Sequence, residues 1–332
     1  TTLFRSEGEY GVQRGSVLEE VYVGDPLTPG IGATKNAKRL DIKDLKVLTK
    51  IPVLPISYHD ALPMLAAMGG PVAPAEWRGA LPITYHISGD ATVHLKVAFN
   101  WDIVPAYDVI ATIKGSAFPD EWVIRGNHHD AWVNGANDPI SSQAALLDEA
   151  KALGDLLKSG WRPKRTIVYC SWDGEEPALL GSTEFVEDHE KELQKKAVVY
   201  INTDDNTRGF LDAGGSNSLE TFMTEVSQSV TDPQTKVSVY ARRRARDIVK
   251  AAADSEKTEL LTRKIDRLGP LGGGSDFETF LEHTGIPSLD LQFSGEGEGG
   301  EYHSIYDSYD HYKRFKDPTF EYGVALAKVA GH

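Results

Sequence analysis

A single cysteine in 332 residues excludes an internal disulfide framework and any zinc site built from several thiolates. Cys170 lies in the apolar run "RTIVYCSW", where a buried, inert thiol is expected rather than a nucleophile. Basic residues are also in short supply. The 35 Lys and Arg against 49 Asp and Glu leave a net charge of −14, so the surface repels nucleic acid and anionic membranes. A carboxylate surplus has one further use, as ligands for hard or borderline cations. No run of 18 or more apolar residues exists, so no segment is long enough to span a bilayer as a helix. The opening "TTLFRSEGEYGVQRG" lacks the basic start and apolar centre of a signal peptide. Internal repeats and low-complexity tracts are missing. "LGGGSDFETF", from Leu271, looks like a phosphate loop but lacks the Lys-Ser/Thr ending, and is read as a tight turn capping a helix at Ser275.

What is present is globular material: 40% apolar and 25% charged residues, in a chain long enough for one large domain or two smaller ones. The first hundred residues read as irregular, with a Pro- and Gly-dense loop at "GDPLTPGIG" and a helix at "YHDALPMLAAMGG". Alternation over residues 93–99 predicts a half-buried strand. From about residue 105 the texture changes. Strands "YDVIATIKG", "EWVIRGN", "RTIVYCSW", "AVVYINTD" and "PSLDLQF" alternate with helices "SSQAALLDEAKALGDLLKSG", "GSTEFVEDHEKELQKK", "SLETFMTEVSQSV", "SDFETFLEHTG" and "DPTFEYGVALAKVAG". Within the charged stretch "ARRRARDIVKAAADSEKTELL", the basic run "ARRRAR" (241–246) is expected to be a solvated helix or a pairing surface rather than a nucleic-acid site. The pattern predicts an α/β fold with a mixed, largely parallel sheet flanked by helices. In such sheets the ligand site lies beyond the carboxyl ends of the strands.

Those ends carry the chemistry. "EWVIRGN" runs into His128, His129 and Asp130; "RTIVYCSW" into Asp173, Glu175 and Glu176; "AVVYIN" into Asp204 and Asp205. Imidazole and carboxylate without thiolate suit a catalytic rather than a structural zinc site. Two metals need a bridging carboxylate and about two further ligands each. His128, Asp138, Glu176 and Asp204 are the candidates, and His303 in "GGEYHSIYDSYD" is the fifth. Asp130, two residues after His128, is placed to accept the other imidazole N–H. Glu175, beside a ligand, is placed to act as general base on a water. Asp205 rivals Asp204, with strand alternation favouring Asp204. Asp173 reads as a helix-entry cap or turn residue, and His129 as solvent-facing or supporting.

"NHHDAWVNGANDP", "SWDGEEPALLGSTEF", "YINTDD" and "EYHSIYDSYDHYKRFKDPTFEYG" resemble, in this order, blocks of the glutamate carboxypeptidase II branch of the di-zinc aminopeptidase family, which also contains the transferrin receptors. The resemblance runs from "GVQRG" and "GDPLTPG" to the final helix. It implies a zinc exopeptidase fold and two Zn2+ ions, with Asp138 bridging them, His128 and Asp204 completing one site, and Glu176 and His303 completing the other. Glu175 is implied as the catalytic base, Asp130 as the partner behind His128, and Tyr302 as a contact to the substrate carboxylate or oxyanion. Leu179 and Gly274 are expected to line the substrate pocket with Tyr302. A structural Ca2+ is implied on Glu184 and Glu187, with the carbonyls of Thr28 and Ile31; carboxylates at i and i+3 share a helix face, and loop carbonyls complete an all-oxygen cage.

The chain departs from the family pattern in four places. His129 stands where arginine is common, and Pro177 follows the glutamate pair. Asp290 and Gln292 stand where the glutamate-selective enzyme has arginines, which argues against selectivity for acidic substrates. By the resemblance, residues 1–100 are part of an apical, protease-associated region and 101–332 the zinc peptidase domain. The helical dimerisation domain is expected to lie outside the chain, which is read as an internal fragment. The implied partners are a peptide or dipeptide substrate, other fragments of the same polypeptide and, in the full-length protein, a second copy. The implied compartment is extracytoplasmic. Two rival readings stand beside this one: an inactive receptor-like binding protein, and an incomplete piece whose site is formed but idle. Aminopeptidase and carboxypeptidase action both stay open.

Overall fold

The computed structural model describes residues 8–17, 23–89, 91–297 and 299–332. Its apolar runs become the strands of one sheet: β1 (Val109–Ile113), β2 (Phe118–His128), β3 (Arg165–Trp172), β4 (Ala197–Asn202), β5 (Gly209–Gly215) and β6 (Ser288–Gly295). Their order across the sheet is β1-β3-β2-β4-β6-β5. The four inner strands are parallel, while β1 and β5 run antiparallel at the two edges. The sheet is therefore mixed and largely parallel, as the alternation of elements predicts.

Helices cover both faces, which is why the inner strands are apolar on both sides. The helices are α1 (Tyr58–Ala67), α2 (Ile140–Lys158), α3 (Leu180–Lys196), α4 (Glu220–Ser229), α5 (Val239–Lys250), α6 (Asp254–Thr262) and α7 (Glu321–Gly331), of which α1 and α6 bury no residue and stand off the sheet. On one face Ala145 of α2, Met223 and Val226 of α4 and Leu326 of α7 pack with Ile201, Leu211, Leu289 and Phe293. On the other, Val186 and Leu193 of α3 pack with Ile124, Val168, Cys170, Trp172 and Tyr200. Adjacent residues Tyr200 and Ile201 thus serve opposite cores, as strand geometry requires. The chain passes from β2 through α2 to β3 on one side, then through α3 to β4 on the other side of β2. That reversal leaves a crevice at the carboxyl ends of β2 and β4.

The structure departs from these expectations in four respects. Residues 93–99 form no strand and are largely exposed; alternation supplies a face, but a strand also needs a neighbour to pair with. Strand β5, "GFLDAGG", has no readable strand pattern because three glycines weaken it, and it forms by pairing along β6. The helix expected at "SDFETFLEHTG" forms but is short, residues 277–283, with Thr279–His283 wound wider than an α-helix; Ser275 does not cap it with its side chain, its hydroxyl instead accepting from Asn202 Nδ2 at 2.9 Å. The basic run 241–246 is helical, within α5, but it is not wholly solvated: Arg242 is buried, pairing with Asp232 at 2.8 Å and Glu296 at 2.7 Å.

Candidate metal centre

Strand β2 ends on His128, whose imidazole is 1% exposed. Nδ1 faces the Asp130 carbonyl at 3.1 Å and its Oδ1 at 3.3 Å. This turns Nε2 toward Asp138 Oδ1 at 3.1 Å, with Asp204 Oδ1 and Glu175 Oε2 each at 3.9 Å. Asp138 is held by its backbone: its N–H donates to Asp307 Oδ2 at 3.0 Å, and the Asn137 N–H donates to Asp307 Oδ1 at 2.7 Å. The second Asp138 oxygen, Oδ2, lies 3.2 Å from His303 Nε2, which is 3.1 Å from Glu176 Oε2. One carboxylate therefore gives a separate oxygen to each imidazole. Donors around a tetrahedral cation with bonds of about 2.0–2.1 Å stand about 3.3 Å apart, so these spacings fit metal ligation. Asp138, Glu176 and His303 together form one compact donor cluster.

The supporting contacts tie distant segments to this edge. Glu175 and Glu176 begin a one-turn helix, Glu175–Ala178, bounded by the left-handed residues Gly174 and Leu179. Pro177 fits there because the first turn leaves its amides without intrahelical partners. Asp130 accepts from both glutamate amides, at 3.0 and 3.2 Å. Glu176 Oε1 accepts from the Trp132 amide at 3.2 Å. His303 has a left-handed backbone, φ 54°, a strain on the order of 1–3 kcal/mol for a non-glycine residue. It is held by Arg14, whose amide donates to the His303 carbonyl at 3.0 Å while its carbonyl lies 2.9 Å from His303 Nδ1.

Of the two rivals on the β4 exit, Asp204 faces His128, whereas Asp205 accepts from Asn137 Nδ2 at 3.1 Å. His129 turns away, with Nδ1 2.8 Å from the Ser171 hydroxyl. Asp173 accepts from the Tyr107 amide at 2.8 Å and does not cap a helix. Asp307 is not among the candidates named from the sequence, and nothing in the pattern marks Trp132 or Arg14. Asp307, four residues after His303 in "YHSIYDSYD", carried the only readable signal, a carboxylate beside a candidate ligand.

The electrostatics call for cations. Burial would lower the His128 pKa, but hydrogen bonds to Asp130 and Asp138 and the charges of Glu175 and Asp204 raise it well above the usual imidazole range. Burial likewise opposes His303, yet Asp138 and Glu176 raise it to about 9. Burial pushes Glu175 well above the carboxylate range, Asp276 to about 8, and Asp205 and Asp290 to about 7. Asp138 is the exception: burial opposes ionisation, but both imidazoles hold it well below the usual range. Carboxylates crowded into one buried place either keep protons or neutralise a metal ion, and the oxygen and imidazole donors suit the latter.

A cavity of about 700 Å³ opens onto the cluster, lined also by Arg14, Trp132, Leu179, Gly274 and Tyr302. Tyr302 stacks on His303, ring centroids 3.6 Å apart. Away from this cavity, the loop carrying Thr28 and Ile31 lies on α3. The amides of Asp25 and Ala33 donate to Glu184, each at 2.6 Å, the Thr28 hydroxyl to Glu184 at 3.3 Å and the Gly30 amide to Glu187 at 2.8 Å. Burial raises the Glu184 pKa to about 7.

An α/β sheet whose strand ends converge imidazoles and carboxylates on an open cleft has the donor set of a metal site. The chain belongs to peptidase family M28, whose family pattern matches residues 108–317. It is 38% identical over 335 residues to a probable glutamate carboxypeptidase VP8 of Zea mays, covering 99% of this chain and 45% of that protein. It is 34% identical over 341 residues to the mouse aminopeptidase NAALADL1, covering 97% and 44%. The chain thus spans less than half the length of these relatives. Among solved structures it is similar to LapB from Legionella pneumophila, at 16% identity with a TM-score of 0.48 over 68% of this chain and 53% of that one. It is also similar to a zinc aminopeptidase from Bacillus subtilis, at 20% identity with a TM-score of 0.45 over 67% and 48%.

Proposed function

We propose that this chain carries the catalytic centre of a zinc-dependent exopeptidase that hydrolyses peptide bonds near a free terminus. The observation that carries the reading is the divided Asp138 carboxylate, one oxygen toward His128 and the other toward His303. It supports two cations, one held by His128, Asp204 and Asp138, the other by His303, Glu176 and Asp138. Imidazole nitrogen with carboxylate oxygen and no sulfur favours zinc. When bound, the cations supply Lewis-acid chemistry, lowering the pKa of water and polarising a carbonyl.

The chain's own residues do the rest. Glu175 Oε2 faces the cluster, 3.9 Å from His128 Nε2, and its amide is pinned by Asp130. From there its carboxylate takes a proton from the attacking water and returns it to the leaving amine. Asp130 holds the His128 tautomer, and Tyr302 borders the cleft where the scissile group sits. The relatives' names, carboxypeptidase and aminopeptidase, support either terminus. Asp290 and Gln292 bring no cation to β6, so recognition of an acidic group would fall to Arg14 at the cavity wall. In this reading residues 1–100 belong to an apical, protease-associated region and 101–332 to the peptidase domain, and Glu184, Glu187, Thr28 and Ile31 hold a structural calcium.

The test is Glu175→Gln. Elemental analysis is expected to find wild-type zinc content while turnover of a panel of free-terminus dipeptides falls by about 10²–10⁴-fold. Unchanged turnover with zinc in place removes Glu175 from the chemistry. A wild-type chain that takes up no zinc removes the whole reading.

A further inference from the structure

Glu301 and Lys316 form an ion pair with both side chains buried, each 4% exposed. Among the described residues Lys316 is the one buried lysine. Neither group belongs to the donor cluster or borders the cavity. Burying an ammonium is costly, and a well-packed apolar pair of similar volume commonly holds a fold at least as well. The pair therefore has a reason to exist other than stability.

Its placement supplies that reason. Glu301 precedes His303 by two residues, and Lys316 closes the segment that follows. Within residues 301–316 lie both groups that reach Asp138 from this side: His303 Nε2, 3.2 Å from Oδ2, and Asp307, which accepts from the Asp138 amide at 3.0 Å. The Lys316 end is anchored to the body of the protein. Its carbonyl accepts from the Arg208 amide at 3.0 Å, and the next residue, Asp317, accepts from the Tyr322 and Gly323 amides at 2.9 and 3.1 Å at the start of α7. The Glu301 end is tied to that anchor by its carboxylate. Inside the segment the Ser304 amide and hydroxyl return to the Glu301 carbonyl, at 3.0 and 2.8 Å, which links the Glu301 position to the turn holding His303. The left-handed backbone of His303 needs such outside constraint to persist.

We propose that the Glu301–Lys316 pair is a positioning device for His303. It sets the affinity of the cation held by His303, Glu176 and Asp138, and leaves the His128 side alone. The inference rests on the metal reading above and adds which buried groups outside the donor set tune one half of the centre.

The experiment is an optical titration of the metal-free full chain with Co2+, in which wild type is expected to fill two sites and His303→Ala to lose one. Lys316→Met is expected to weaken that same site by about 10–100-fold while moving the other by less than about twofold. Far-UV circular dichroism reports whether the variants fold. Glu301→Gln keeps the side-chain shape, is expected to show the same one-sided loss, and carries the test if Lys316→Met does not fold. Equal weakening of both sites, no weakening, or unfolding of both variants overturns the positioning role. A wild-type chain that binds no Co2+ overturns the metal reading instead.

Discussion

Asp130 accepts from the Glu175 and Glu176 amides while one of its oxygens faces His128 Nδ1. A single side chain therefore orients one imidazole and the turn bearing two carboxylates. Asp130→Ala should lower zinc affinity by about 10–100-fold, read by competition with a chromophoric chelator; affinity within error of wild type would show the orientation to be redundant. Asp232 offers a pH test away from the cleft. Burial would raise its carboxyl pKa, but hydrogen bonds from Arg242 and Thr235 outweigh that and hold it below the usual range. A folded-state pKa below the unfolded one gives stability that is present above about pH 4 and is lost as pH falls through the folded value. The gap in melting temperature between wild type and Asp232→Asn should accordingly narrow below about pH 4. A gap constant from pH 6 to pH 3 would contradict the assignment.

At the scale of elements, β6 shows why the inner strands are apolar. Phe293 is fully buried between β5 and α7, against Leu211 and Tyr322. Phe293→Ala should cost about 3–5 kcal/mol in urea unfolding, whereas Val249→Ala on the exposed side of α5 should stay within about 0.5 kcal/mol. A small effect at Phe293 would mean that this core is not packed as described. The loop on α3 gives a second test. If Glu184 and Glu187 hold calcium with that loop, added Ca2+ should raise the melting temperature of chelator-treated protein by mass action, and Glu184→Gln should abolish the response. A wild-type protein indifferent to Ca2+ would leave these glutamates as an ordinary loop anchor.

At the scale of the whole molecule, several buried carboxyls gather at the carboxyl ends of the inner strands. Glu175, Asp276, Asp205 and Asp290 all stand raised, and His303 stays protonated up to about 9. Ligation takes neutral imidazole, so cations held by His128 and His303 would release the protons that the neighbouring carboxylates favour there. Calorimetric binding enthalpies for zinc should therefore vary with the ionisation enthalpy of the buffer at pH 7, and identical enthalpies in two buffers that differ in ionisation enthalpy and do not bind zinc would argue against protonated ligands.

The sequence by itself determined the inner strands of the sheet and the candidates at their ends. Inner strands must be apolar on both faces, so "RTIVYCSW" and "AVVYIN" stop where polar chemistry begins, and the stops can be read. Local spacing also placed Asp130 behind His128. Only the tertiary structure decided what those candidates do together. That Asp138 gives one oxygen to each imidazole, that Arg14 supports a histidine 289 positions away, and that Lys316 meets Glu301 are relations between segments with no shared period. The same holds for β5, which pairs because β6 offers an edge, and for residues 93–99, whose alternation finds no neighbour. A pattern along the chain records which face a residue turns inward, while the partner it meets there is set by how the elements pack.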